Sequence, residues 1–253
     1  MLSGLFLVGL CSTPLSAQST GSAAASAGQK AAIGSSVRVH GLQWDLHEMT
    51  IGQVRQMAKA TGFVSRAEKE GGGSVYESGW TKKQGWNWRT PYGVPAQDHE
   101  PAVHLMFDEA QMICRFFGKR LPTDQEWTQA AYLEQRDLPP ADFVKGKRYA
   151  YPNGDSAVNS HCLNGCGNYR GSAPVGSLTR GIGHVAVMTT PAGVNGLYDM
   201  GGNVWEWVDT GSGNERITRS SSWWYGPERQ RESDVATKPT DTRVVYIGFR
   251  CVR

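Results

Sequence analysis

Nowhere in its 253 residues does this chain string together the ~18 apolar residues that a membrane span requires. No span is therefore expected once any targeting segment is removed. Charge of one sign is equally scarce: 26 Lys and Arg stand against 23 Asp and Glu, a net of +3, too little to argue for a nucleic acid as partner. The six histidines are scattered at positions 40, 47, 99, 104, 161 and 184. No two have the i, i+4 spacing of a helical metal site, so each is expected to be a satisfied loop or core histidine. The chain also lacks a Ser-His-Asp order and a glycine-rich phosphate loop.

What it has instead is 31 glycines, 12 prolines and nine tryptophans in a composition that is 39% apolar. That describes one loop-rich domain with enough apolar surface for a substantial core. Residues 2 to 10 are apolar, and Ser12 to Ala17 supply small residues, so residues 1 to 18 read as a secretory signal, although no Lys or Arg precedes the apolar run. Leu10 before Cys11 speaks against a lipoprotein anchor. Residues 19 to 36 are Ser, Ala and Gly rich, a flexible leader, and residues 37 to 253 form the folded domain. The implied location is periplasmic or secreted. Beyond Cys11 the chain holds Cys114, Cys162, Cys166 and Cys251, an even set that fits disulfides in an exported protein. A metal pair at Cys162 and Cys166 is the rival reading, yet no second Cys/His pair has zinc spacing.

Local patterns place the first strand at Val37 to Leu46. A first helix follows, capped by Thr50, with Ile51, Val54, Met57 and Ala58 as its apolar stripe and Gly62 as its stop. The irregular stretch from Ser65 to Pro101 carries Trp80, Trp86 and Trp88, and a loop so rich in indole is expected to lie over a core or to wall a groove. A short strand is expected over Pro101 to Met106 and a second helix over Phe107 to Phe117, with Ala110, Ile113, Cys114 and Phe117 inward. Thr123 to Glu126 is a capping box that opens a third helix presenting Trp127, Ala130 and Ala131. Arg120, just before it, is expected in a buried ion pair. Short strands are expected around Tyr149 and Val175, and residues 181 to 194 read as an insertion.

The stretch from Gly196 to Trp207 fits neither a helix nor an alternating strand. A Gly201-Gly202-Asn203 bend turns carbonyls toward one point, and Glu206 stands close enough to close a shell of oxygen ligands around a hard cation. The simpler alternative is a turn entering a core strand, with Glu206 salt-bridged. Leu197 to Trp207 resembles the signature of the formylglycine-generating-enzyme, or sulfatase-modifying-factor, family. The resemblance extends to Gly118-Lys119-Arg120-Leu121-Pro122-Thr123 with Glu126-Trp127, to Ser172-Ala173-Pro174-Val175-Gly176 and to Gly248-Phe249-Arg250-Cys251. It covers roughly residues 38 to 253.

The resemblance implies an α+β, C-type-lectin-like fold, loop-rich, with short strands and about three helices. It pairs Cys114 with Cys251, which leaves Cys162 and Cys166 for each other; the long bridge closes a loop worth roughly 4 to 5 kcal/mol in chain entropy. It places a structural calcium on Gly201, Gly202, Asn203, Val204 and Glu206. A further family calcium site, at Asn164 and Tyr169, lacks its aspartate near Gly167.

Oxygen-using members of that family bind copper(I) through two cysteines five residues apart. Tyr225 and Gln230 stand at those positions here, so copper-dependent formylglycine generation is not expected. The residues left as a candidate groove are Ser222, Trp223, Trp224, Tyr225 and Arg229, an aromatic and cationic set suited to an anionic or aromatic ligand. Equally, alternate members of the Trp-Trp-Tyr run could face the core. The text resembles exported members without the copper pair. The functional expectation is oxidative maturation of a peptide or small metabolite in the cell envelope; the alternative is a non-catalytic, lectin-like binding or scaffold module.

Overall fold

The computed structural model describes Met1 and residues 31 to 253, so the expected signal and most of the expected leader lie outside the described residues. Residues 32 to 253 form one compact unit, and its architecture is the expected α+β lectin-like one. The first strand is in fact a hairpin, β1 (Ser36–Val39) and β2 (Leu42–Asp45). His40 and Gly41 both take positive φ between them, which reverses the chain where an alternating pattern alone reads as continuous.

Helix α1 (Ile51–Thr61) starts at a Thr50 cap and stops at left-handed Gly62, burying Ile51, Val54, Met57 and Ala58 as the spacing demands. A one-turn helix α2 (Arg66–Lys69), capped by Ser65 and Glu68, was not legible. Neither was the hairpin β3 (Ser74–Tyr76) and β4 (Trp80–Lys82) within the tryptophan-rich stretch. Trp86 and Trp88 are buried there, whereas Trp80 is 59% exposed.

Helix α3 (Phe107–Phe116) turns Ala110, Ile113 and Cys114 inward, and α4 (Asp124–Tyr132) starts at the Thr123 capping box. Two expected strands are absent. Residues 101 to 106 make only a bridge from Pro101 to Thr50, because His104 at φ 60° breaks the extended path. Val175 sits wholly exposed in a turn. Near Tyr149 there are isolated bridges only. Arg120 does pair with Glu126, at 2.7 Å, but on the surface rather than in the interior.

The central sheet runs β7 (Ala236–Pro239), β6 (Glu215–Arg219), β5 (Trp205–Ser212), β8 (Ile247–Gly248), with β5 and β8 parallel. Trp205 and Trp207 on β5 enter the larger apolar cluster together with α1, α3, Trp223, Trp224 and Tyr246. A smaller cluster joins β1, β2 and α4 through Trp44, Trp127 and Val252. Cys114 on α3 is bonded to Cys251 after β8, and Cys162 to Cys166, both pairings as expected. No described helix is long and apolar enough to cross a membrane.

Candidate functional site

Three of the four sequence stretches that carry the family resemblance meet in one buried node, the exception being Ser172 to Gly176. Glu206 on β5 accepts from Arg250, with Nε 2.9 and 2.8 Å from its two oxygens and Nη2 at 2.7 Å, and from Trp127 Nε1 of α4 at 2.8 Å. Arg250 also donates to the Tyr198 carbonyl at 2.8 Å. Glu206 and Arg250 are fully buried, so separating them would leave a buried charge uncompensated.

Glu48 and Asp199 lie in the same interior. Burial, then the charges of Asp199 and Glu206, push the Glu48 carboxyl far above the usual carboxylate range. Asp199 is also raised, chiefly by burial, despite accepting from Thr190 and Met188. Burial opposes the Arg250 charge, but Glu206 outweighs it and holds the guanidinium protonated.

These bonds bear on the calcium expectation. Both Glu206 oxygens are engaged by protein donors. Asn203 Oδ1 accepts from Val185 N at 2.9 Å while its amide donates to Glu48, and the Gly202 carbonyl accepts from Ser220 Oγ at 2.9 Å. As placed, Asn203 Oδ1 and both Glu206 oxygens are taken up by protein donors. Glu206 takes the simpler of the two places read for it, a salt bridge at the entry to a core strand. The glycine bend has another duty: at Gly202 (φ 84°) a Cβ would stand 2.3 Å from the His161 carbonyl, the oxygen that accepts from Asn203 N. The bend thereby pins the loop of the second disulfide.

The candidate groove divides. Ser222, Trp223 and Trp224 are buried: the Trp224 ring stacks on Tyr246 at 5.8 Å, and Trp223 meets Tyr92 edge-on at 6.4 Å. Adjacent members of the run do not alternate between core and solvent, because Ser220 and Ser221 take positive φ and the chain leaves the strand before reaching them. Tyr225 is half-buried against Trp205 and Tyr246. The Arg229 guanidinium lies 5.4 Å from the Tyr225 ring and pairs with Asp234 at 3.2 Å. Arg180, which sequence reasoning did not single out, places its guanidinium 4.3 Å over the Trp224 ring and donates to the Trp224 carbonyl. Only the fold brings residue 180 to residue 224, and no local spacing signals it.

Tyr225 and Gln230 do not fit a copper(I) ion, since neither offers a thiolate. Gln230 is buried and its Nε2 lies 3.3 Å from Cys166 Sγ. Among the described residues no three His, Cys, Asp or Glu side chains are arranged to hold a metal ion. His47, His104, His161 and His184 are buried, whereas His40 and His99 are exposed. His184 bonds Tyr92 Oη at 2.9 Å and Glu100 at 2.8 Å, and His161 Nε2 donates to the Gly183 carbonyl at 2.7 Å.

The fold and this node define a C-type-lectin-like domain of the formylglycine-generating kind. Residues 14 to 253 match the sulfatase-modifying factor enzyme 1-like domain, and the chain belongs to that family. It is 25% identical over 262 residues to the formylglycine-generating enzyme of Mus musculus, covering 85% of this chain and 66% of that protein. It is 30% identical over 205 residues to hercynine oxygenase of Mycolicibacterium thermoresistibile, covering 69% of this chain but only 42% of that protein. The family thus has oxidase-type members. PvdO of Pseudomonas aeruginosa shares the fold, with a TM-score of 0.58 and 19% identity over 84% of this chain and 80% of PvdO.

Proposed function

We propose that this protein carries out an oxidative maturation step on a peptide or small metabolite in the cell envelope, without the two-cysteine copper mechanism. The observation that carries the reading is the pair of guanidiniums, Arg180 and Arg229, laid on the aromatic surface of Trp224 and Tyr225. Guanidiniums beside the half-buried Tyr225 ring suit a ligand that is anionic, aromatic or both. Two disulfides fit an oxidising compartment, periplasmic or extracellular. Oxidase-type relatives support the reaction class by analogy.

A second reading has its own observation. Trp223 and Trp224 are buried in the core rather than offered to a ligand, which favours the scaffold side of the alternative, a non-catalytic lectin-like binding or scaffold module.

The test is to incubate the protein with a library of acidic, aromatic and cysteine-bearing peptides under dioxygen and to follow peptide mass. Oxygen-dependent loss of hydrogen or gain of oxygen, abolished by Arg180→Ala or Tyr225→Ala at unchanged melting temperature, is the expected result. Peptide binding that never yields an altered mass would establish the module instead.

A further inference from the structure

We propose that Cys162 and Cys166 are a redox-active pair that exchanges disulfides with a thiol-bearing peptide, Cys166 being the reacting sulfur and Cys162 the resolving one. The two sulfurs stand in opposite surroundings. Cys166 is half-buried, and its sulfur faces donors: Gln230 Nε2 at 3.3 Å and Ser160 Oγ at 3.1 Å, the latter sharing its proton with the Ala157 carbonyl at 2.7 Å. Donors favour a thiolate. Cys162 is only 4% exposed, and its sulfur lies 3.2 Å from the Asn164 carbonyl, an acceptor that favours a protonated thiol. By contrast Cys114 and Cys251 are wholly buried, as a structural bridge should be.

The pair is also in the right place. Leu163 N donates to the Tyr225 carbonyl at 2.9 Å, and at Gly165 (φ 79°) a Cβ would sit 3.2 Å from Pro227. The five-residue loop therefore lies against the turn that carries Tyr225 toward Arg229.

In the oxidising direction a substrate thiolate attacks Cys166, the bond to Cys162 breaks, and Cys162 leaves and takes up a proton. The second substrate thiolate attacks the mixed disulfide and expels the Cys166 thiolate. Substrate dithiol and protein disulfide become substrate disulfide and protein dithiol, a transfer of two electrons. A small-molecule disulfide such as glutathione disulfide restores the pair by the reverse exchange. The substrate class rests on the groove reading above; the redox behaviour of the pair does not.

The experiment equilibrates the intact protein in mixtures of reduced and oxidised glutathione, traps thiols by alkylation and assigns them by mass spectrometry. The expected result is reversible opening of Cys162–Cys166 while Cys114–Cys251 stays closed and circular dichroism is unchanged. In the reduced pair, Cys166 should alkylate about tenfold faster than Cys162 at neutral pH. Gln230→Leu, or Ser160→Ala should that variant fail to fold, should reduce this advantage, and Cys162→Ser should trap glutathione on Cys166. A pair that opens only with loss of the fold, or two thiols of equal reactivity in the wild type, would overturn the proposal. Cycling without peptide turnover would keep the redox pair and remove the groove reading. Turnover by a Cys162→Ser, Cys166→Ser double variant would keep the groove reading and overturn the exchange between the pair and a peptide.

Discussion

Arg250 grips Glu206 with its Nε and Nη2 at 2.7 to 2.9 Å, and neither residue has any exposed surface. The contact ties the last strand's exit to the first turn of β5 and, through Trp127, to α4. A buried pair of this kind is weak evidence for stability as a pair, but its halves cannot be separated cheaply.

Removing one partner should therefore cost more than removing both. Arg250→Met leaves a buried carboxylate without its cation and is expected to lower unfolding free energy by about 3 to 5 kcal/mol. The Arg250→Met, Glu206→Met double variant should recover part of that loss. Denaturant unfolding measures both, and the cost should be the same in EDTA as in added calcium. A loss seen only without calcium would restore a cation to this node.

Glu48 predicts the sign of a pH effect. Its folded carboxyl value is raised by burial and by Asp199 and Glu206, so the folded state holds a proton that the unfolded chain gives up near the ordinary carboxylate value. The stability this contributes is complete below that value and is lost as pH rises through the folded one. Glu48→Gln should therefore gain on the wild type as pH rises above the ordinary carboxylate value. Melting temperatures across that range read the difference, and parallel curves would count against it.

His104 works in the other direction. Burial lowers it from the ordinary 6.5 to about 4, with Nε2–H donating to the Pro91 carbonyl at 3.0 Å. Below pH 6.5 the unfolded chain binds the proton first, so stability falls as pH drops toward about 4, by about 3 kcal/mol for a shift of this size. His47 and His161, both lowered chiefly by burial, add to the same acid limb. His104→Asn, which tolerates the positive φ, should give a shallower acid limb in urea titrations, whatever its stability at neutral pH.

Much of the fold was legible because its signals are local. The Thr50 and Thr123 caps, the Ile51-Val54-Met57-Ala58 stripe and the Gly62 stop are decided within a turn or two of chain, and the helices formed there. The motif stretches gave the family, the lectin-like class and both disulfides. The hairpin β3–β4 was missed because Ser74 to Lys82 has no apolar alternation and its tip is exposed.

The candidate site was less legible. Trp223, Trp224 and Tyr225 read as a patch, and only the left-handed Ser220 and Ser221 that redirect the chain decide which rings enter the core. The cation over Trp224 comes from Arg180, forty-four residues away.

Composition, caps and motif order settled on their own where the three longer helices form, which cysteines are bonded and to which family the chain belongs, since each depends on neighbours in sequence or on a shared pattern. What Glu206 holds, which sulfur faces donors and where a ligand meets a charge were decided only by tertiary packing. Electrostatic and hydrogen-bond partners act through a few ångströms of space, and the groups that supply them here, Arg250, Gln230 and Arg180, come from distant parts of the chain.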